Sequence, residues 1–238
     1  MESYENFLAR INSFETPIMV LPNERFTVNN SLKQKVDFFN KFRPFYGDTT
    51  VFDLSDNDKS RIESINDTLY KEVPECFGER LKGNTFHITL HDLSNSTDIA
   101  NIGEDMFRNE IILLKYVNSG RIPNCEITFE TNNIINMVGV SLVLALKPKT
   151  KDDYEKLIGL YGITDCVKTL PYPLTPHITL AYFRHEGFSA ENSERLCRIV
   201  NKLNCEKFDI TVSTETLYYE KFTDMNSYHK VFSMGRKY

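Results

Sequence analysis

The chain has 238 residues, 41% of them hydrophobic and 26% charged, with a formal net charge of −5. That balance fits a soluble globular protein with room for a full core, as one domain or a two-lobed one. It excludes a membrane-spanning protein, since no apolar run approaches the ~20 residues a span needs, and it argues against a protein that tracks long duplex nucleic acid, since no Lys/Arg run exceeds two residues.

The N-terminal stretch "MESYENFLARINSF" mixes charged and amide residues among its apolar positions and does not read as a secretory leader, so the cytoplasm is the expected compartment. Five scattered cysteines, Cys76, Cys125, Cys166, Cys197 and Cys205, form no CxxC pair and predict neither a disulfide framework nor a zinc knuckle. Apolar spacing predicts helices over 2–14 and 31–42, the second capped by Ser31. "TTVFDL" (49–54) is β-branched and aromatic and predicts a strand. The stretch "SDNDKSRIESINDTLYKEV" opens with capping residues and sets Ile62, Ile65 and Leu69 at helical spacing. A strand is expected over 84–92, then a helix within about 98–118 that stops at Gly120. "CEITFET" (125–131) and "VGVSLVLAL" (138–146) predict a hairpin turning at "NNIIN". A short helix at 151–161, a Pro-rich approach "LPYPLTP", a strand at 176–183 and a helix at 189–203 follow. "FDITVSTETLYYEKF" (208–222) and "HKVFSMG" (229–235) are read as a closing hairpin.

Two phrases recur in this order. "TFHITL" begins at Thr85 and "TPHITL" at Thr175, and the chain spends two of its five histidines on them. Each lies on an expected strand followed by a helix and then a strand pair, and the pairs themselves open alike, with "EITFET" from Glu126 and "DITVST" from Asp209. Two short matches in the same order point to an internal duplication.

Strand alternation sets His87 and Thr89 on one face and Ile88 and Leu90 on the other. The second copy does the same with His177 and Thr179 against Ile178 and Leu180. Helices must cover the apolar faces, which leaves the polar ones toward a cleft. Two imidazoles and two hydroxyls meeting there suit cleavage of a phosphodiester without a metal. One neutral ring takes a proton from the nucleophile, the other, charged, gives one to the departing oxygen, and the hydroxyls hold the phosphate. The residues do not fix which histidine plays which part; the lean is to His177 as the ring that activates water. A shared metal is disfavoured, because His87 and His91 stand about 13 Å apart on a strand. Alternation sets His91, two residues beyond Thr89, on the same face, where it has either a surface or core role, hydrogen-bonded to a neighbouring backbone, or a place deeper along the cleft wall, touching ribose or base.

These paired His-x-Thr-hydrophobic phrases in a duplicated α+β chain resemble the 2H phosphoesterase superfamily, which includes RNA-ligase-like cyclic phosphodiesterases, 2′,5′-oligoadenylate phosphodiesterases, an RNA 3′-end exonuclease and phage enzymes that degrade cyclic oligonucleotide signals. The resemblance covers roughly residues 49–238 and leaves 1–48 as an N-terminal extension packed on the main domain. It implies an α+β fold with two pseudo-symmetric lobes, each an antiparallel sheet with helices on its outer face, enclosing a central cleft. It also implies His87 and His177 as acid and base, Thr89 and Thr179 as phosphate ligands, and no metal or cofactor. Many bacterial RNA-ligase-like members carry Arg five places after the second motif histidine; here that place is Tyr182, with Arg184 two further on. Tyr182 and Phe183 are candidates to stack on a base, and Arg184 for the displaced arginine. The resulting expectation is a monomeric hydrolase of a small nucleotide or short oligonucleotide: a 2′,3′-cyclic phosphate, a 2′,5′-oligonucleotide or a cyclic oligonucleotide. The alternatives are a non-catalytic nucleotide-binding module and an RNA 3′-end-processing factor.

Overall fold

Two four-stranded antiparallel sheets are each finished at one edge by a strand carrying a copy of the histidine phrase. The computed structural model describes residues 2–15, 18 and 20–236. In chain order the elements are α1 (Tyr4–Asn12), β1 (Arg25–Phe26), β2 (Tyr46–Asp53), α2 (Asp56–Glu72), β3 (His87–Ser96), α3 (Gly103–Asn118), β4 (Glu126–Met137) and β5 (Ser141–Pro148). They continue with α4 (Lys151–Asp165), β6 (His177–Tyr182), β7 (Phe188–Ser189), α5 (Ala190–Leu203), β8 (Asp209–Ser213), β9 (Leu217–Asp224) and β10 (Ser227–Ser233). The first sheet runs β10-β9-β2-β3 and the second β6-β5-β4-β8, while β1 and β7 form a separate two-residue pair. The fold is α+β and two-lobed, and β3 and β6 lie against each other between the lobes. No described helix is long and apolar enough to cross a membrane.

The duplication is written in the hydrogen-bond register. In the first lobe Thr50 pairs His91, Val51 pairs Thr89, Phe52 pairs Ile88 and Asp53 pairs His87. In the second, Leu142 pairs Ala181, Val143 pairs Thr179, Leu144 pairs Ile178 and Ala145 pairs His177. Each ladder skips one residue, Leu90 or Leu180, at the same point of the phrase. Such a bulge bends its strand and breaks the two-residue alternation beyond it.

Local chemistry explains the helices. Ser55 caps α2 by accepting from the Asp58 N–H, with Asp56 and Asp58 in the first turn. Ile62, Asn66 and Leu69 follow on one buried face. Thr150 and Asp153 form a reciprocal capping box at α4, and Ser189 caps α5. The strand "SLVLALKP" of β5 is buried on both faces as an interior strand should be. Leu142, Leu144 and Leu146 join the main core, while Val143 and Ala145 pack with Ile135 on the other side. That main core also takes Ile88, Leu90, Ile178 and Leu180, so both histidine strands stand on one continuous apolar mass.

Several sequence expectations change. The helix expected over 31–42 is a 3₁₀ turn, Asn30–Gln34, capped by Asn29 rather than Ser31. Beyond it the Asp37 carboxylate captures the Lys41 N–H at 2.9 Å, and Asn40 adopts φ 61°, so the chain turns back instead of winding on. The strand expected from residue 84 begins at His87, because Gly83–Thr85 forms a 3₁₀ turn. The stretch "NNIIN" lies inside β4; the hairpin turns at Val138 and Gly139, both at positive φ. The expected closing strand over 208–222 is two strands in different sheets, split by a 3₁₀ turn at Thr214–Thr216. As a result "EITFET" and "DITVST" are not matching positions of a repeat. They pair with each other, Ile127 against Val212 and Phe129 against Ile210.

Residues ahead of β2 are woven into the molecule. Phe26, Leu32, Val36 and Phe45 enter the main core, β1 pairs with β7, and α1 sets Phe7 and Ile11 against Tyr154. The aromatic residues of this segment divide into covered and exposed ones. Phe42 and Phe45 pack against Tyr182 and Phe222, but Phe38 and Phe39 are 68% and 80% exposed.

Candidate active site

Each motif histidine is the first residue of its strand, and each ring turns back to the residue two places before it. The His177 Nδ1–H donates to the Thr175 carbonyl at 2.7 Å, and the His87 ring is hydrogen-bonded to the Thr85 backbone. A carbonyl only accepts, so Nδ1 of His177 holds the proton and Nε2 is left for the cleft. Thr89 and Thr179, one alternation further on, stand half-buried on the same walls as His87 and His177. Neither hydroxyl has a protein hydrogen-bond partner among the described residues. Beneath them Ile88, Leu90, Ile178 and Leu180 are at most 1% exposed. The four polar groups line one cavity of about 930 Å³ between the lobes.

Burial lowers both histidines. His87 falls from 6.5 to about 4, chiefly by desolvation and further by the neighbouring His177, against the pull of its Thr85 hydrogen bond and of Asp92 and Asp53. The Tyr228 ring meets His87 edge-on with centroids 5.0 Å apart and is part of what shuts out water. His177 is also lowered by desolvation, while its bond to Thr175 and the Asp92 carboxylate act the other way and Lys35 adds to the lowering. Asp92 thus acts on both rings. It accepts from the Tyr172 hydroxyl at 3.2 Å, and burial with that carboxylate raises the Tyr172 phenol.

The two halves differ just upstream of the histidines. Arg10 of α1 donates to the Leu174 carbonyl at 2.9 Å and to Thr175 Oγ1 at 3.2 Å, and pairs with Glu2 at 2.7 Å. It thereby pins the residue whose carbonyl orients His177. In the first half the Thr85 hydroxyl donates instead to the Lys82 carbonyl at 2.7 Å.

Three expected ligand contacts move. His91 does not touch the cleft through its ring: the bulge at Leu90 turns it inward, its side chain is 0% exposed, and it lies on Tyr161 with centroids 4.9 Å apart. Its Nδ1–H donates to the Asp92 carbonyl, and Nε2 stands 3.5 Å from Asp165. Phe183 is core, fully buried among Phe26, Phe77 and Phe188. Arg184 faces a separate depression with Phe38 and Glu75, away from the histidines. Tyr182 does line the cleft, though its hydroxyl donates to Met225 Sδ at 3.0 Å, so only its ring is offered. Lys35, Asp92, Tyr172 and Tyr228 also line the cleft and belong to none of the sequence motifs. Only the Pro-rich setting of Tyr172, next to the second phrase, marked any of them. Among the described residues no group of three or more His, Cys, Asp or Glu is placed to hold a metal ion.

Among solved structures the chain is similar to a conserved protein of unknown function, ATU0111 from Agrobacterium tumefaciens, at 14% identity and a TM-score of 0.68, over 87% of this chain and 94% of that one. The likeness is one of fold. The chain is also similar to E. coli LigT complexed with 3′-AMP, at 15% identity and a TM-score of 0.46, over 80% of this chain and 97% of that one. TT0787 of Thermus thermophilus follows at 10% identity and a TM-score of 0.45, over 81% and 100%. No family model matches the sequence, and no curated protein does either. The two-lobed architecture implied by the resemblance to the 2H phosphoesterases is the architecture the chain adopts.

Proposed function

We propose that the protein is a metal-independent phosphodiesterase of the 2H type that hydrolyses a cyclic or 2′-linked nucleotide phosphodiester. The observation that carries this reading is the paired register: two His-x-Thr phrases at identical ladder positions, facing one cavity, with both threonine hydroxyls unspent. The phosphorus sits between the rings, its non-bridging oxygens accepting from Thr89 and Thr179, which favours charge as it builds in the transition state.

His87, closed off from water by the Tyr228 ring and lowered to about 4, is the ring that stays neutral and acts as base, reversing the lean drawn from the sequence. His87 takes a proton from water as the water oxygen bonds to phosphorus. The bond from phosphorus to the departing ribose oxygen breaks, and that oxygen receives the proton of the His177 imidazolium. An arriving phosphate anion favours that imidazolium, and the Thr175 carbonyl and Asp92 hold it. An acid and a base contribute about 10²–10⁴ each.

The test is turnover of 2′,3′-cyclic nucleotides, 2′,5′-oligoadenylate and cyclic dinucleotides, with and without EDTA. Hydrolysis that survives the chelator, and falls at least 10²-fold in folded His87→Ala and His177→Ala proteins, supports the reading. Binding without turnover of any of them would instead mark a nucleotide-binding module.

A further inference from the structure

Lys35 is not explained by acid–base chemistry at one phosphorus. It ends the 3₁₀ turn Asn30–Gln34, and its backbone carbonyl accepts from Arg43, so its stem is fixed at the rim of the cleft. Its ammonium lies 5.1 Å from the centre of the Phe45 ring and 5.6 Å from that of Tyr182. Among the described residues it is the only lysine or arginine lining the cavity, and no carboxylate comes within ion-pair distance of it. The two carboxylates on the wall, Glu15 and Asp92, are left without a bond to it. Two aromatic faces hold a cation in place without neutralising it.

Lys35 stands toward the Tyr182 end of β6, from where its charge reaches His177. Tyr182 lies three residues beyond Thr179 on β6, roughly 10 Å along the strand. The cavity of about 930 Å³ is at the upper end for a small-molecule site and leaves room past the histidines.

We propose that Lys35 receives a second phosphate of the substrate, so that the cleft selects nucleotides carrying two phosphates: a scissile one between the histidines and a flanking one at the ammonium. This rests on the phosphodiesterase reading above for the scissile position. A lysine serves such a site as a point charge, with its three donors free to follow the phosphate oxygens. Short oligonucleotides and cyclic nucleotides bearing a further terminal phosphate meet the requirement. A simple 2′,3′-cyclic mononucleotide does not.

The experiment needs no turnover. Calorimetry compares adenosine 3′-monophosphate with adenosine 3′,5′-bisphosphate on the wild-type protein, Lys35→Met and Lys35→Arg. The bisphosphate is expected to bind the wild type roughly 10- to 100-fold more tightly. Lys35→Met, which keeps the apolar stem, should erase that preference and leave the monophosphate unchanged, while Lys35→Arg keeps most of it. Binding of the bisphosphate should depend less on salt in Lys35→Met than in the wild type. Equal weakening of both ligands would put Lys35 at the scissile phosphate, and no weakening of either would make it a bystander; both overturn the proposal. Lys35→Gln replaces the methionine variant if that one does not fold. Binding with the expected preference but no hydrolysis of any diester refutes the enzyme and upholds the second site. Failure of the wild type to bind either nucleotide overturns both.

Discussion

The depressed histidine gives a quantitative handle on the site. His87 titrates at about 4 where an exposed histidine titrates at 6.5, a difference of about 3 kcal/mol against charging the ring. At pH 7 only about one ring in a thousand is then protonated. Desolvation is the chief cause, and the Tyr228 ring, edge-on at 5.0 Å and backed by Phe222 at 5.3 Å, is the removable part of the wall. Tyr228→Ala admits water to His87 and should raise its pKa by about one unit or more. Tyr228→Phe keeps the wall and should not. The measurements are the pH titration of the His87 ring by NMR and kcat/KM against pH. The acid limb of the rate profile belongs to the base, so it should lie near pH 4 in the wild type and move upward in Tyr228→Ala. His177 is lowered too, so the basic limb for the free enzyme lies below 6.5, each limb strictly belonging to the coupled pair.

Stability follows with a definite sign. The folded-state pKa of His87 is depressed, so as pH falls below 6.5 the unfolded chain takes the proton first. Stability is full above 6.5 and is lost progressively down to about pH 4, by up to about 3 kcal/mol from this residue. Tyr228→Ala should shrink that loss while costing packing at every pH. A wild-type His87 that titrates near 6.5, or one that titrates identically in wild type and Tyr228→Ala, refutes the desolvation argument.

Three further outcomes are expected. His91→Ala should lower thermal stability by about 2 kcal/mol and leave the KM for any one nucleotide within a few-fold, because its ring is sealed behind the cleft wall; urea denaturation beside steady-state kinetics separates the two. Asp48 accepts from the Ser94 N–H at 2.7 Å, from Asn109 at 3.0 Å and from the Tyr219 hydroxyl at 2.9 Å while only 1% exposed. Asp48→Ala strands the Ser94 N–H and leaves Asn109 only Ser94 Oγ and Tyr219 only the Met106 carbonyl, and should cost roughly 1–3 kcal/mol by chemical denaturation, with Asp48→Asn milder. Truncation to Thr49 removes Phe26, Leu32, Val36 and Phe45 from the core at about 1.5–3 kcal/mol each, a loss comparable to a domain's whole stability of about 5–15 kcal/mol. The fragment should be unfolded or insoluble, which expression and circular dichroism will show.

The reacting face was legible because it depends on local rules. Alternation along "HITL" requires nothing beyond the strand itself, and the caps at Ser55, Thr150 and Ser189 are written within four residues of the helices they start. What the sequence hid is non-local. One bulge residue decided between wall and core for His91, and nothing in the letters of "HITLHD" marks the skip. The split between β8 and β9 was hidden because an unbroken apolar alternation does not say which sheet it will join. Lys35 belongs to a stretch with helical spacing that folds as a turn, and its importance comes only from Phe45 and Tyr182 arriving around it.

A twofold scaffold by itself would give two equivalent histidines, and acid–base catalysis needs two different ones. The phrases and the places of their bulges are the same in both lobes, but the ladder partners differ, with Asp53 opposite His87 and Ala145 opposite His177, and further difference comes from parts outside the repeat. In the first lobe it comes from β10, whose Tyr228 closes over His87. The corresponding edge strand of the second lobe, β8, contributes none of the described residues of the cavity wall. There the neighbours come from the N-terminal segment instead: Arg10 pins Thr175, which orients His177, and Lys35 sets a positive charge on the same side. The repeat supplies the geometry of two rings across one phosphorus. Tyr228, outside the repeat, keeps water from His87 and lowers its proton affinity, which suits that ring to the part of base and leaves the part of acid to His177.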